Sequence, residues 1–358
     1  MASSAPAVTL DPGKLDELLG RFVNDFGAAF QAASAVVGDK LGLYATLAET
    51  GPAAAEDVAA HAGCEPRLVR EWLRAQAAGG YITYDPGSGR YSLSAEQAFA
   101  LADPQGMSLP GAFLSATATA KSDTAIAEAF RTGAGLPWSQ QHEDLFPGTA
   151  RFFGAGYAAG LVPAWIPALE GVENKLRAGG RVADVGCGYG VSTVLMAEAY
   201  PRSSFSGFDI HSASIESARQ RAAAHGVADR TTFAVAAADA YEAHDLDLVT
   251  MFDAFHDMGD PVGVARHVRR SLNPDGTLML VEPRAGDRVE ENFNPVGRLF
   301  YNASALICVP NSLSQDVGAA LGAQAGEARL RDVLTEAGFV SVRRATETPF
   351  NMIIEART

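Results

Sequence analysis

One stretch of sequence decides the fold, Val182-Ala183-Asp184-Val185-Gly186-Cys187-Gly188-Tyr189-Gly190. It predicts a buried strand that ends in an acid, followed by a glycine-rich turn that opens a helix over Val191–Ala199. Glycines let the backbone approach a ligand closely, because they lack a Cβ and adopt positive φ at little cost. The spacing is G-x-G-x-G and differs from the G-x-G-x-x-G of dinucleotide-binding proteins, because Val191 stands three places after Gly188. An acid before the turn would repel a pyrophosphate and suits a cationic ligand.

From residue 181 to 358, short apolar runs alternate with helical segments. This alternation predicts βαβ units and a mainly parallel sheet. The expected strands are Arg181–Val185, Ser204–Phe208, Thr231–Ala236, Leu246–Phe252, Gly276–Val281, Phe339–Thr346 and Phe350–Ala356. Only Glu347-Thr348-Pro349 joins the last two, which is too short for a crossover, so they form an antiparallel pair at one edge. The expected fold class is therefore α/β, a Rossmann-like seven-stranded sheet, parallel with an antiparallel edge strand.

The N-terminal third of the chain lacks this alternation and shows mainly helical patterns. A helix is expected from Lys14 to about Leu47, with large apolar residues at spacings of three and four that suit a core or a second subunit. The order helix, turn, helix, hairpin follows, which is that of a winged helix. We expect three regions: a mostly helical winged-helix dimerisation domain at 1–104, connecting helices that cover the active site at 105–178, and the sheet domain at 179–358.

Further acids follow the next strands. Asp209 comes 25 residues after Asp184, at the position from which a carboxylate accepts hydrogen bonds from ribose hydroxyls in doubly wound sheets. Ile210 beside it suits an adenine face, and Asp239-Ala240 after the third strand suits an exocyclic amine. Together these features predict a nucleoside site at the carboxyl edge of the sheet.

With these motifs, the chain resembles class I S-adenosylmethionine-dependent methyltransferases that carry an N-terminal winged-helix dimerisation domain. It is similar to plant-type O-methyltransferases and to actinobacterial proteins described as methyltransferases or transcriptional regulators. The resemblance covers about residues 155–358 for the catalytic domain. It implies a cofactor site for S-adenosylmethionine, with S-adenosylhomocysteine as product, made of Asp184, Gly186, Gly188, Gly190, Asp209, Ile210, Asp239, Ala240, Asp253 and Tyr157.

The catalytic candidates follow the fourth and fifth strands. A histidine in a loop at this edge can take a proton from a hydroxyl group. The resemblance implies that His256, in the pair His256-Asp257, is the general base and that Glu282 orients it. The alternative reading is that His256 only caps a helix or bonds to the backbone.

Two departures from the resemblance limit what can be carried over. A further glutamate of the plant-type enzymes is matched only by an offset Glu327, and the segment Phe293–Ser314 differs in length and content. With Phe300, Tyr301 and Cys308 in it, this segment is expected to line the acceptor pocket. A related branch binds iron, but a facial triad needs two histidines and a carboxylate. Only His267 follows His256, inside the next helix, so no metal is expected.

Composition narrows the function classes. The chain has 358 residues with 28 Lys and Arg against 42 Asp and Glu, a net charge of −14. So acidic a chain is a poor default partner for nucleic acid or an anionic membrane. Residues 1–105 alone hold seven basic and thirteen acidic residues. Three scattered cysteines suggest a reducing cytoplasm, and Met1–Leu10 lacks the features of a secretory signal.

The sequence thus predicts a methyltransferase acting on a small, hydrophobic or aromatic acceptor, by O-methylation with His256 as base. We expect a cytoplasmic homodimer that binds neither nucleic acid nor membrane. The alternatives are C-methylation of a small molecule, or a winged-helix regulator that senses the cofactor.

Overall fold

The computed structural model describes residues 10–358. The described chain forms two compact units, one ending at Thr117 and one spanning Ala118–Thr358, and each is described by itself. The segment considered for a secretory signal lies, except for Leu10, outside the described residues. Within residues 10–358, none of the helices combines the length and apolar character needed to cross a bilayer.

The first unit contains a winged helix. Its elements are α1 (Pro12–Lys40), α2 (Leu43–Thr50), α3 (Ala55–Ala62), α4 (Pro66–Ala78), β1 (Thr83–Asp85), β2 (Arg90–Ser92), α5 (Ala95–Leu101) and the start of α6 (Leu109–Lys121). Strands β1 and β2 pair in antiparallel fashion as the wing. The single helix expected from Lys14 to Leu47 is wrong, because Gly42 adopts a φ of +66° and separates α1 from α2. Helical periodicity alone does not reveal such a break.

Helix α1 leaves a row of large apolar side chains uncovered. Phe22, Phe26 and Phe30 are 54–66% exposed. The rings of Phe22 and Phe26 stack at a centroid distance of 5.5 Å, and those of Phe26 and Phe30 meet edge to face at 5.1 Å. An uncovered apolar stripe of this kind is typical of surfaces that bind another molecule.

The second unit is a three-layer α/β sandwich. Its helices are α7 (Asp123–Thr132), α8 (Leu145–Gly160), α9 (Val172–Ala178), α10 (Val191–Ala199), α11 (Ser212–Ala224), α12 (Pro261–Ser271), α13 (Pro295–Ala303), α14 (Val309–Leu313) and α15 (Gly326–Glu336). Three short 3₁₀ turns lie at Trp138–Gln140, Phe255–Asp257 and Val289–Asn292. Two π-helical turns lie at Leu161–Trp165 and Ser304–Cys308. A separate apolar cluster covers each face of the sheet.

The sheet follows the predicted architecture closely. Its strands are β3 (Arg181–Val185), β4 (Ser204–Asp209), β5 (Thr231–Val235), β6 (Leu246–Phe252), β7 (Leu272–Pro283), β8 (Ser341–Glu347) and β9 (Asn351–Arg357). Their spatial order is β5-β4-β3-β6-β7-β9-β8. The first five are parallel, and β9 runs antiparallel to both β7 and the edge strand β8. The strands that follow β3 are added first on one side of it, as β4 and β5, and then on the other side, as β6 and β7. This switch in strand order places a ligand crevice at the carboxyl end of β3.

Candidate active site

The glycine-rich turn joins β3 to α10 and is tied to the neighbouring strand. The backbone N–H groups of Gly186 and Cys187 both donate to the carbonyl oxygen of Phe208, at 2.8 and 3.0 Å. Gly186 adopts a φ of +75°, and a Cβ there would lie 2.9 Å from the Cβ of Ala254. Backbone conformation and close packing therefore both require glycine at this position.

Asp184 lies beneath this turn. Its carboxylate is buried and accepts hydrogen bonds from the hydroxyls of Ser192 at 2.7 Å, Thr193 at 2.6 Å and Thr250 at 3.0 Å. Burial raises its pKa, and the three hydroxyl groups oppose that shift. The carboxylate does not line the cavity described below. The expectation that Asp184 contacts the cofactor is corrected here: its oxygens are already used to anchor α10 and β6 to β3.

We expect Asp184→Ala to lower the free energy of unfolding by about 2–4 kcal/mol, because three buried hydroxyls lose their shared acceptor. Urea unfolding measures this loss. Thr250→Val, which removes one of the three bonds, is the milder control at about 1 kcal/mol. If Asp184→Ala keeps its stability but loses affinity for the cofactor, Asp184 contacts the cofactor directly.

A cavity of about 420 Å³ opens at the carboxyl ends of the parallel strands. Within the described part of the chain, its lining contains six aspartates and no Lys, Arg or His: Asp209, Asp239, Asp253, Asp257, Asp260 and Asp316. Such a lining repels phosphate groups and attracts a cation. Aromatic residues from the segment before β3 form one wall: Trp138, Phe146, Phe153 and Tyr157.

The carboxylate of Asp209 is held in a fixed orientation in this cavity and can accept hydrogen bonds from a ligand. Its two carboxylate oxygens accept hydrogen bonds from the backbone N–H groups of Gly188, at 2.9 Å, and His211, at 2.8 Å. These bonds hold both oxygens at the mouth of the turn. Ile210 lines the cavity with its side chain 55% exposed. An apolar side chain this exposed, beside a fixed carboxylate, suits the flat face of a bound ring.

Four of the remaining cofactor candidates divide into two that line the cavity and two that do not. Asp239 is exposed and lines it, as does Gly188. Gly190 and Ala240 do not. At Gly190 a Cβ would lie 2.8 Å from the Cβ of Ala218, so this glycine serves helix packing. The N–H of Ala240 already donates to the carbonyl oxygen of Ala237, at 3.1 Å.

Asp253 and Tyr157 form one hydrogen-bonded group. Asp253 follows β6 with a φ of +48° and accepts hydrogen bonds from the Tyr157 hydroxyl and the Asn351 amide, both at 2.8 Å. Burial, with the nearby charge of Glu282, raises the pKa of Asp253 to about 7. A left-handed conformation at a non-glycine residue stores strain and is common at functional sites. The Asn351 contact was not anticipated from sequence, because β9 is 98 residues from β6 along the chain.

His256 is held between two carboxylates on the 3₁₀ turn after β6. Its Nδ1 lies 2.5 Å from Glu282, and its Nε2 lies 3.2 Å from Asp257 Oδ1. Glu282 also accepts a hydrogen bond from the N–H of Phe255, at 3.0 Å, which fixes its orientation. His256 and Glu282 do not line the cavity, whereas Asp257 does. The structure therefore brings the three catalytic candidates together, and Asp257 is the member that reaches the cavity.

The protonation of this group follows from its surroundings. Burial alone lowers the pKa of His256, but the charges of Glu282 and Asp257 outweigh it and raise that pKa well above 6.5. Burial also raises the pKa of Asp257, and the charge of His256 opposes this. The buried thiol of Cys308 lies beside both side chains, and burial raises its pKa to about 12. His256 and Asp257 therefore titrate as a coupled pair.

On the acceptor side, the structure agrees with the offset of Glu327 noted in the sequence, whereas the expected lining by Phe300, Tyr301 and Cys308 is wrong. Glu327 is bound in ion pairs with Arg331 and Arg344, at 2.6 and 2.7 Å, and so does not complete a catalytic group. Phe300, Tyr301 and Cys308 do not line the cavity. The same region instead contributes residues further along the chain, Asn311, Gln315, Asp316 and Val317. His267 bonds to the carbonyl oxygen of Tyr241, away from His256, as its position in α12 predicts.

Comparison with known families agrees with this geometry. Residues 176–338, which contain the glycine turn, Asp209 and His256, match a model described as "Methyltransferase domain". The chain carries a methyltransferase domain. Residues 29–103 match a second model, described as an Rv2258c-like winged HTH domain. The predicted combination of a winged helix with a methyltransferase domain is confirmed.

Similar proteins also include methyltransferases. A ubiquinone biosynthesis O-methyltransferase from Neisseria meningitidis is 35% identical over 102 residues, which are 28% of this chain and 42% of that protein. A 27-O-demethylrifamycin SV methyltransferase from Amycolatopsis mediterranei is 36% identical over 107 residues, 29% of this chain and 39% of that protein. The chain thus spans about two fifths of the length of these curated relatives.

A structural comparison extends over the whole chain. Human N-acetylserotonin methyltransferase, solved in complex with S-adenosylmethionine, matches with a TM-score of 0.71 and 17% identity. The match covers 100% of this chain and 99% of the human one. At this identity the likeness shows a shared fold.

Proposed function

We propose that this protein transfers the methyl group of S-adenosylmethionine to an oxygen atom of a small hydrophobic or aromatic molecule. The observation that carries the proposal is the cavity at the glycine turn of the methyltransferase domain, whose lining among the described residues contains six aspartates and no basic residue. S-adenosylmethionine carries a positive sulfonium and no phosphate, so it fits this lining better than a nucleotide does. Several similar proteins are named O-methyltransferases.

The lining suggests how the cofactor lies. Asp209 accepts hydrogen bonds from the two ribose hydroxyls. The Gly186–Gly188 turn lies against the methionine part of the cofactor, and the side chain of Ile210 packs on the adenine ring. The carboxylate of Asp239 accepts a hydrogen bond from the exocyclic amine of the adenine. At the other end, Asp253 with Tyr157 faces the cationic amino-acid group. Every one of these residues lines the cavity.

The transfer itself makes modest demands on the protein. The acceptor oxygen forms a bond to the methyl carbon as the carbon–sulfur bond breaks, and the sulfonium becomes a neutral thioether. The acceptor proton passes to the pair of Asp257 and His256, which Glu282 holds in place. Alignment of acceptor and methyl group supplies much of the rate. The aromatic wall formed by Trp138, Phe146 and Phe153 suits a flat or apolar acceptor.

A test measures S-adenosylhomocysteine release with a panel of phenols, hydroxy acids and 2-oxo acids. Turnover on a hydroxyl acceptor supports the proposal, and turnover confined to 2-oxo acids supports C-methylation instead. Calorimetry with the cofactor alone tests binding independently of the acceptor. Absence of cofactor binding by folded protein contradicts the proposal.

The structure gives little support to the alternative of a DNA-binding regulator. The arginines of α4 that such a function would use are already paired with acids: Arg67 with Glu71, Arg70 with Glu56, and Arg74 with Glu71 at 3.7 Å. A winged helix also serves as a platform for dimer formation, and fold alone does not decide between these uses.

A homodimer is part of the proposal, and the apolar row on α1 is its interface. Phe26→Asp is expected to convert the dimer into a monomer, because it places a charge in the middle of a desolvated contact. Light scattering should give about twice the chain mass of 37.4 kDa for the wild type and the single value for the variant. Asp25→Asn, one position away, is the control. A wild type that is already monomeric removes this part of the proposal.

Cofactor affinity should rise with pH through about 7, because the carboxyl of Asp253 is neutral below its pKa of about 7 and anionic above it. A cation binds the anionic form better, so affinity falls by up to about tenfold for each pH unit below 7. The same raised pKa lowers the free energy of unfolding of the ligand-free protein as pH rises from about 4 to 7. Calorimetric titrations from about pH 6 to 8 measure the affinity. In Asp253→Asn this dependence should flatten, and an unchanged profile would assign it to another group.

A further inference from the structure

Three side chains of different chemistry converge beside the cavity. One ring nitrogen of His256, a carboxylate oxygen of Asp257 and the Sγ of Cys308 all lie within 4.8 Å of one another. His256 and Cys308 are buried, and Asp257 has 15% of its side chain exposed. Among the described residues, Asp257 Oδ1 is buried without a hydrogen bond of good geometry. This oxygen lies 3.2 Å from His256 Nε2 without a well-directed hydrogen bond, and a carboxylate oxygen so placed beside an imidazole and a thiol is an arrangement that a metal ion can complete.

The spacing fits a small tetrahedral ion. Zinc binds imidazole nitrogen, carboxylate oxygen and thiolate sulfur at roughly 2.0–2.3 Å, which places a nitrogen and an oxygen ligand roughly 3.4 Å apart. His256 Nε2 and Asp257 Oδ1 are 3.2 Å apart. Ligand pairs that include sulfur are roughly 3.6 Å apart in such a site. A side-chain rotation that moves the Cys308 Sγ by about 1 Å would therefore bring the three ligand atoms to zinc-binding distance.

The surroundings already orient these ligands. Glu282 lies 2.5 Å from His256 Nδ1, which directs Nε2 toward Asp257 and reproduces the carboxylate–histidine arrangement found around zinc. An ion bound there would displace the Nε2 proton. Gln315 holds the loop that carries Asp257, because its side chain donates to the carbonyl oxygen of Asp257 at 2.9 Å and accepts from the N–H of Gly259 at 2.9 Å. Cys308 ends a π-helical turn, a distortion that occurs often at functional sites.

We propose that His256, Asp257 and Cys308 form a zinc-binding site with its fourth position open toward the cavity. Three protein ligands with one open position is the arrangement of catalytic zinc. The mixed nitrogen, oxygen and sulfur set favours zinc over magnesium or calcium, which take oxygen ligands. The thiol of Cys308 lies 51 residues after Asp257, so no local motif in the sequence joins it to the histidine.

The site also has a consequence for methyl transfer, and this part rests on the proposed function. An acceptor hydroxyl that coordinates the ion would lose its proton more readily, as zinc-bound water does. His256 and Asp257 then act as ligands while the ion is bound. Binding of the ion itself does not depend on any methyl acceptor.

The experiment uses the full chain, stripped of metal with a chelator, and Co²⁺ as a spectroscopic probe for Zn²⁺. We expect about one Co²⁺ per chain, a thiolate-to-cobalt charge-transfer band in the near ultraviolet, and loss of that band when Zn²⁺ is added. Cys308→Ser should abolish the band, and Cys64→Ser, in the winged helix, should keep it. Glu282→Gln should keep the band while weakening affinity about 10–100-fold.

Circular dichroism of each variant separates loss of the site from loss of the fold. Folded wild type without the band overturns the proposal. A band that survives in Cys308→Ser and disappears in Cys64→Ser overturns it as well. No cofactor or acceptor is present in this titration, so its failure is distinct from a failure of the proposed methyl transfer.

Discussion

Replacing His256 by Ala is expected to lower the turnover number on a hydroxyl acceptor by about 10²–10⁴-fold, the usual contribution of a proton acceptor. The reason lies in the structure of the pair. His256 lies between Glu282 and Asp257, and without it two buried carboxylates lie close together with no imidazole to share a proton with them. Asp257 then becomes neutral or withdraws from the cavity, and the acceptor proton has no destination.

The same variant should leave cofactor affinity within a few-fold of the wild type, because His256 does not line the cavity. Calorimetry with S-adenosylhomocysteine measures this affinity, and initial rates of its release measure turnover. His256→Gln guards against misfolding, since its amide can still donate to Glu282 but cannot take up a proton. His267→Ala is the matched control, because this histidine lies in α12 and bonds to the backbone carbonyl of Tyr241, away from the catalytic group.

Full turnover in folded His256→Gln would show that alignment of the substrates is sufficient, or that carbon is the methylated atom. Turnover lost together with cofactor affinity would point to a collapsed loop. Only a selective loss of turnover supports the proton-accepting pair.

Replacing Asp209 by Ala is expected to weaken cofactor binding by about 10²–10⁴-fold. Two hydrogen bonds from ribose hydroxyls to a carboxylate are lost, each worth about 1.5–3 kcal/mol. The carboxylate also accepts from Gly188 and His211, so its removal frees the glycine turn as well. Calorimetric titration with S-adenosylhomocysteine gives the dissociation constant directly.

Two comparisons make this result specific. Asp209→Asn keeps the shape and one acceptor oxygen, and we expect an intermediate loss. Asp239→Ala removes an exposed carboxylate, whose hydrogen bond is weakened by competing water, and we expect a loss of no more than about tenfold. Equal effects of Asp209→Ala and Asp239→Ala, or no effect of either, would contradict the proposed placement of the ribose.

The sequence by itself determined the sheet. The number and order of the strands and the antiparallel pairing of the last two follow from apolar runs and from the three-residue link Glu347–Pro349, because both are local properties of the chain. The bounds are less exact, since Gly276–Val281 was expected where β7 spans Leu272–Pro283. The prediction of a glycine turn followed by acids at successive strand ends is also local, since parallel strands bring their carboxyl ends to one edge. The break at Gly42 was missed because helical periodicity continues on both sides of it.

Only the tertiary structure decided which side chains face the cavity. Asp184 and Asp209 both end strands in the sequence, yet Asp184 is enclosed by three hydroxyls and Asp209 is open to the cavity. Asn351 and Cys308 reach Asp253 and His256 from distant segments, and no local pattern records such contacts. The position of an element depends on short-range periodicity, whereas the environment of a carboxylate or thiol depends on packing between segments far apart in the chain.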